Sequence, residues 1–220
     1  MKKVYFITGL GADKRAFSFL DLSFCEPVFI DWISPLPKET MSNYAKRLRT
    51  LITDAEPIVV GLSFGGMLVT EMAKADSGMR AIIISSNKLA SEFPFWLRFG
   101  KWFPIYRCVP DFFYTYCGRI TLWILGAKGI EEKKVLKQII ADSDIHFTKW
   151  AIGAIMNWDN EIVPSNLTQI HGTSDKLLPY RFVNPDYTLK GGEHLMIMDK
   201  AVKISALLKE LVSYKIKQKD

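Results

Sequence analysis

The feature that most constrains the fold is an alternation of short apolar runs with longer amphipathic stretches. Four runs in the first 86 residues are rich in β-branched residues and too short for an independent helix: 4–7, 28–32, 58–62 and 81–85. Such runs are typical of strands buried on both faces of a parallel sheet. Helical stretches lie between them at 42–53, with Ser42 as the expected cap, and at 65–75. The alternation predicts right-handed βαβ crossovers and an open α/β sheet.

The pattern changes after the fourth predicted strand. No further convincing strand occurs in residues 87–164, and 12 of the 28 aromatic residues lie between Phe93 and Trp123. We therefore expect a helical insertion there, followed by strands at 167–170 and 187–189. A closing helix is predicted over 200–214, with Asp199 as its cap. Its expected inner face consists of Val202, Leu207, Leu208, Leu211 and Val212. The prediction is one α/β domain over 1–220, with about six parallel strands.

Composition excludes several classes of protein. The chain is 49% hydrophobic and 24% charged, as ordinary globular domains are. Three cysteines without a CxxC pair favour neither a disulfide scaffold nor a cysteine zinc site. The net charge of +6 has no dense basic block outside the last residues, so no nucleic-acid partner is expected. The short apolar start and the charged aromatic block predict no export signal and no membrane insertion, hence a cytoplasmic location.

The segment GLSFGG, residues 61–66, ends the third predicted strand and precedes a helical stretch. It matches the nucleophile elbow, in which a serine occupies a tight strand-to-helix turn. Gly61 and Gly65 would let the strand and the helix approach closely, and Ser63 would then lie exposed at the helix N-terminus. A plain glycine-rich turn is the alternative, and the strand–turn–helix context makes it the weaker one.

A serine nucleophile needs a base, and the chain has three histidines. We expect His194, in the loop between the last strand and the closing helix, to reach over the carboxyl edge of the sheet. His171 ends a strand directly before a glycine, where its ring would pack at the strand end. His146 lies in the helical insertion beside Asp144. These two histidines are the alternatives.

The orienting acid and the oxyanion hole are also predicted at this edge. Asp175 follows the strand that ends near residue 170, whereas the alternatives Asp159 and Asp186 follow no predicted strand. A turn-forming role is the other interpretation of Asp175. The expected oxyanion donors are the backbone N–H groups of Phe64, directly after the nucleophile, and of Leu10, between two glycines. A simple turn into a helix at 13–20 is the alternative for that loop.

With these motifs, the sequence resembles the α/β-hydrolase superfamily over nearly its whole length. The matching segments are TGLGAD, GLSFGG, HGTSDKLLP and GGEHLM, in the order of the family. The resemblance implies Ser63 as nucleophile, His194 as general base and acid, and Asp175 as orienting carboxylate. It also implies a helical cap at about 87–164. The chain departs from the family where Thr8 replaces the usual histidine of the oxyanion loop, and the family's two leading antiparallel strands are expected to be missing.

The resemblance implies hydrolysis of a carboxylic ester or thioester through an acyl-serine intermediate. A serine in place of an aspartate nucleophile disfavours dehalogenases and epoxide hydrolases. The expected partner is a small, apolar ester or thioester substrate, and no metal or organic cofactor is expected. A slow-turnover ligand-binding protein and a lyase with the same triad remain open, because each needs the same three side chains.

Overall fold

The structure is a computed structural model that describes residues 1–94, 109–111, 114, 116 and 118–213. Six strands form one sheet within these residues: β1 (Lys3–Ile7), β2 (Glu26–Ile30), β3 (Ile58–Leu62), β4 (Arg80–Ile84), β5 (Leu167–Gly172) and β6 (Tyr187–Leu189). The described α-helices are α1 (Met41–Arg49), α2 (Phe64–Ala75), α3 (Arg119–Leu125), α4 (Ile130–Ala141), α5 (Ile145–Met156), α6 (Met196–Asp199) and α7 (Ala201–Ser213). None of them is long and apolar enough to cross a membrane.

The strand order is β2-β1-β3-β4-β5-β6, and every pair is parallel. This agrees with the predicted open α/β sheet, and no antiparallel strand is described before β1. The register aligns Leu62 at the end of β3 with Ile84 of β4, and Ile84 with Ile170 of β5. The carboxyl ends of three neighbouring strands therefore lie at one edge, where side chains from different strands can meet.

Two apolar clusters cover the two faces of the sheet. On one face, α1, α2 and α5 pack against strand residues such as Tyr5, Val59 and Ile83. On the other face, α6, α7 and the 3-10 helix Lys14–Phe17 pack against the alternate strand residues, including Phe6. Burial on both faces explains why the strands are continuous apolar runs rather than alternating ones.

Two predicted helix caps are wrong. The α1 helix begins at Met41, and the Thr40 side chain caps it by accepting a hydrogen bond from Asn43 N at 3.2 Å, so Ser42 lies inside the helix. Threonine and serine are both good caps, so the sequence alone does not separate them. Asp199 ends α6 and does not cap the closing helix, because the chain breaks into two helices at Lys200.

The predicted inner face of the closing helix is wrong at Val202, which is 86% exposed. The buried side chains of α7 are Ile204, Ser205, Leu208 and Val212. Ile204, Leu208 and Val212 recur every four residues and so share one helix face. Val202 lies two residues, about 200°, from Ile204 and therefore points away from the sheet.

The insertion between β4 and β5 is helical where it is described. It contains α3, α4 and α5, and the described part of 85–166 has no strand. Most of the aromatic block lies outside the described residues, namely 95–108, 112, 113, 115 and 117. The predicted role of this segment as a helical cap therefore stays a prediction.

Candidate active site

Ser63 occupies a strained turn between β3 and α2. Its backbone φ is 50° and ψ is −118°, a region that non-glycine residues rarely adopt. Neighbouring backbone segments lie very close to this turn. A Cβ on Gly61 would lie 2.6 Å from Gly65 O, and one on Gly65 would lie 2.2 Å from Thr8 O. Only glycine fits at either position, so the GLSFGG composition is a steric requirement of the turn.

A continuous hydrogen-bond chain joins the three residues predicted as the triad. His194 Nε2 lies 2.9 Å from Ser63 Oγ, and His194 Nδ1 lies 2.8 Å from Asp175 Oδ2. If Nδ1–H donates to the carboxylate, Nε2 is left to accept the serine proton. The His194 and Asp175 side chains are buried, whereas Ser63 is half-buried at the carboxyl end of β3.

The carboxylate of Asp175 is fixed by its own loop. Its Oδ1 accepts hydrogen bonds from Leu177 N at 2.9 Å and Leu178 N at 2.8 Å, which leaves Oδ2 for His194. Burial raises the pKa of Asp175, but His194, the Leu178 N–H and His171 together lower it more. The net pKa lies below the ordinary value of an aspartate, so the carboxyl is ionised near neutral pH.

His171 lies inside β5, because that strand continues two residues beyond the predicted end. Its ring is fully buried, Nε2 donates to Leu178 O at 2.8 Å, and the same nitrogen lies 3.5 Å from Asp175 Oδ2. Burial is the main reason that the pKa of His171 falls below its ordinary value, so the ring is neutral. The structure therefore places His171 beside Asp175, without a hydrogen bond to Ser63.

The remaining alternatives lie elsewhere. His146 is exposed at the start of α5, and Asp144 caps that helix. Asp186 Oδ2 accepts a hydrogen bond from Gln169 N at 2.7 Å, next to β6, and Asp159 is exposed after α5. None of these side chains joins the hydrogen-bond chain of Ser63.

The loop after β1 lies against the nucleophile. A Cβ on Gly9 would be 3.4 Å from Ser63 Cβ, and Gly11 has a φ of +65°. Thr8 Oγ1 and Trp32 Nε1 both donate to Ala12 O, at 2.7 and 2.8 Å, and hold the turn.

Neither of the two backbone N–H groups predicted for the oxyanion hole, at Leu10 and Phe64, has a hydrogen-bond acceptor in the described part of the chain. Phe64 is the first residue of α2, where backbone N–H groups lack a partner inside the helix. Both groups therefore have an unused donor, as the predicted oxyanion role requires.

An aromatic cluster surrounds the residue after the nucleophile. The Phe64 ring lies 5.8 Å from Trp32, 6.2 Å from Phe147 and 6.1 Å from Trp150, measured between ring centroids. Phe147 and Trp150 belong to α5, so the insertion packs directly against the nucleophile turn. All four rings lie outside the aromatic-rich segment 93–123, so this cluster was not predicted from the sequence.

Two further groups near the triad were missed. Ser86 Oγ donates to Ser63 O at 2.7 Å and so holds the backbone carbonyl of the turn. Glu193 forms ion pairs with Lys176 and Lys128 beside the histidine. The basic Lys176 directly after Asp175 and the acidic Glu193 directly before His194 were the signal that could have indicated the second contact.

The described residues contain no group of three or more histidine, cysteine or acidic side chains that could hold a metal ion. They also line a cleft of about 930 Å³ between α1, α2 and α5, with Glu71, Trp150 and Trp158 among its walls. No triad residue lines this cleft, so it is separate from the hydrogen-bond chain described above.

No protein-family model matches the chain, and no curated protein matches it significantly. Solved structures match it over nearly its whole length. It is similar to a thermophilic esterase from Thermogutta terrifontis, with 15% identity, 96% of this chain and 89% of that chain covered, and a TM-score of 0.69.

Two further structures are similar. A lipase-esterase related protein from Clostridium acetobutylicum has 17% identity, covers 95% and 93% of the two chains, and gives a TM-score of 0.70. A hydrolase from Pseudomonas aeruginosa has 11% identity, covers 97% and 90%, and gives 0.72. At these identities the similarity establishes a shared fold.

Proposed function

We propose that this chain, which has the α/β-hydrolase fold, is a serine hydrolase of carboxylic esters or thioesters. The observation that carries the proposal is the hydrogen-bond chain from Asp175 through His194 to a half-buried Ser63. The names of the similar proteins, an esterase and a lipase-esterase related protein, support ester hydrolysis. The intermediate is an acyl group on Ser63 Oγ.

In the acylation step, His194 Nε2 removes the hydroxyl proton while Ser63 Oγ attacks the carbonyl carbon of the ester. The imidazolium that forms faces the ionised Asp175, whose lowered pKa keeps it unprotonated. The backbone N–H groups of Leu10 and Phe64 donate to the carbonyl oxygen as it becomes negative. Collapse of the tetrahedral intermediate breaks the ester bond, and His194 gives its proton to the leaving alcohol or thiol.

Deacylation repeats the same proton transfers with water. His194 removes a proton from a water molecule, the hydroxide attacks the acyl carbon, and the proton returns to Ser63 as the acid leaves. The chain's own side chains and backbone supply the nucleophile, the base and the oxyanion donors.

The aromatic cluster of Trp32, Phe64, Phe147 and Trp150 makes the surroundings of the nucleophile turn apolar, and on this basis we expect an apolar substrate. Each buried CH₂ of a substrate contributes about 0.8 kcal/mol. Lengthening the acyl chain of a nitrophenyl ester from two to six carbons should raise kcat/KM by about 10–100-fold, with allowance for incomplete burial. A matched series of esters that end in a carboxylate is the control, and a preference for that series would point to a cationic group at the substrate site.

The experiment that tests the reaction class is a rapid-mixing assay with nitrophenyl esters and thioesters. Wild type should release a burst of nitrophenol from the ester, or of nitrothiophenol from the thioester, equal to the enzyme concentration, because the acyl-serine accumulates before it hydrolyses. Ser63→Ala should show neither burst nor turnover, whereas Ser23→Ala, at an exposed serine far from the sheet edge, should match wild type. A full burst in Ser63→Ala would refute the proposal.

A further inference from the structure

A second cross-loop contact lies beside the hydrogen bond between His194 and Asp175. Glu193 directly precedes the histidine, Lys176 directly follows the aspartate, and Lys176 Nζ donates to the Glu193 carboxylate. The backbone joins the same two loops, because Ser174 N donates to Gly192 O at 2.9 Å. Asp175 and Lys176 of one loop therefore contact His194 and Glu193 of the other loop, respectively.

A third element reaches the same carboxylate. Lys128, in the link between α3 and α4, places its Nζ 3.0 Å from Glu193 Oε1. The Glu193 side chain is only 7% exposed, so its charge is largely removed from water. Burial raises the pKa of Glu193, but Lys176 and Lys128 lower it more, and the net pKa lies below the ordinary value. Glu193 is therefore an ionised carboxylate between two lysines.

The backbone on the other side of His194 is attached to the same part of the insertion. Leu195 N donates to Leu125 O, the last residue of α3, at 3.1 Å. Gly126, with a φ of +81°, follows at once, and a Cβ there would lie 2.2 Å from Glu193 Cβ. The end of α3 thus fits closely over the Glu193 side chain, and both neighbours of the histidine are fixed by this junction.

We infer that Glu193 is a positioning residue for His194, acting through its ion pairs with Lys176 of the acid loop and Lys128 of the insertion. This inference rests on the proposed function. The histidine must lie within hydrogen-bond distance of both Ser63 Oγ and Asp175 Oδ2, and a misplacement of about 1 Å can cost on the order of 10²-fold in rate. An ion pair parallel to the catalytic hydrogen bond fixes the spacing of the two loops.

The central test is the steady-state kinetics of Glu193→Gln in the full chain. We expect kcat to fall by about 10–100-fold with KM changed less than twofold, because the Glu193 side chain is only 7% exposed and is engaged by its two lysines. Lys176→Met should lower kcat in the same way, and the double variant Lys176→Met with Glu193→Gln should be no slower than the slower single variant. If the kcat of the double variant falls by the product of the two single losses, the residues act independently and the inference is overturned.

A matched ion pair separates positioning from stability. Arg49 and Asp76 form another partly buried ion pair, 23% and 24% exposed, between α1 and the end of α2, and neither residue belongs to the triad or its loops. Arg49→Met should lower Tm but leave kcat unchanged. If Glu193→Gln lowers Tm and leaves kcat at the wild-type value, as in this control, the role is structural and the inference fails.

Two further measurements cover a variant that does not fold and separate this inference from the proposed function. If Glu193→Gln does not fold, Lys176→Met and Lys128→Met each leave the carboxylate one lysine, and unchanged kcat in both would overturn the inference. The rate of labelling by a fluorophosphonate distinguishes the two proposals. No labelling of Ser63 in wild type would refute the proposed function, whereas equal labelling rates in wild type and Glu193→Gln would refute only the positioning role.

Discussion

Two buried histidines lie against the same carboxylate oxygen, and only one of them reaches the serine. His194 Nδ1 is 2.8 Å and His171 Nε2 is 3.5 Å from Asp175 Oδ2. His171 belongs to β5, and its fully buried ring is held by the hydrogen bond to Leu178 O. His194 lies in the loop after β6, so its ring extends over the carboxyl edge. The difference shows that backbone position, rather than proximity to the acid, determines which imidazole can serve as base.

Glycines make the position of His194 possible. A Cβ on Gly172, at the end of β5, would lie 2.3 Å from Gly192 O. The two loops therefore touch backbone to backbone, and Gly191 turns the chain with a φ of +71°. This close approach brings the ring of His194 between Asp175 and Ser63. Larger residues at these positions would separate the two loops.

The largest expected effect is that of His194→Ala. Loss of the base should lower kcat by about 10⁴–10⁶-fold, because the triad acts as a unit. Steady-state hydrolysis of a nitrophenyl ester measures this loss, and circular dichroism should confirm an unchanged fold. A loss of less than about tenfold would place the base elsewhere.

The second largest effect is expected for Asp175→Asn, with kcat lowered by about 10³–10⁴-fold. An asparagine keeps the size of the side chain but no longer favours the tautomer in which Nδ1 carries the proton. The same ester assay measures the effect. Asp186→Asn, at a carboxylate that contacts Gln169 N instead, is the matched control and should retain wild-type kcat.

His171→Ala should lower kcat by less than tenfold, and so should His146→Ala at the exposed histidine. Asp175 keeps two backbone donors and His194 when the ring of His171 is removed, so its orientation persists. If His171→Ala were as damaging as His194→Ala, the distinction between the two histidines would be wrong.

The smallest expected effect concerns stability at acid pH. Burial lowers the pKa of His171 in the folded state, so below its ordinary value of about 6.5 the unfolded chain binds the proton more readily. The free energy of unfolding should therefore fall as the pH is lowered from 7 to 5. Thermal melts of His171→Gln should show a weaker pH dependence over that range. An equal slope in both proteins would show that His171 does not titrate as inferred.

Much of the fold was predictable because its signals are local. Each predicted strand coincides with an observed strand to within two residues at either end. Gly61 is required by the backbone of Gly65 and Gly66 within its own turn, whereas Gly65 is required by the backbone of Thr8 after β1. The α/β-hydrolase fold is confirmed by the similar structures. The order Ser63, Asp175, His194 also follows from strand ends, and the distances support the assignment of the triad.

The errors and omissions depend on tertiary packing. The break at Lys200 has no proline or glycine to mark it, so one helix was predicted where there are two. The contact between Lys176 and Glu193 joins two loops, and it depends on how closely Gly172 and Gly192 approach. Hydrophobic periodicity carries no information about such a distance.

The most direct test of the proposed nucleophile is covalent labelling with a fluorophosphonate, followed by mass-spectrometric mapping of the adduct. We predict one adduct per chain, on Ser63, and no adduct in Ser63→Ala at an unchanged Tm. His194→Ala should label far more slowly, whereas His171→Ala should label at nearly the wild-type rate. Labelling at another residue, or undiminished labelling of Ser63→Ala, would contradict the assignment of Ser63 and the mechanism built on it.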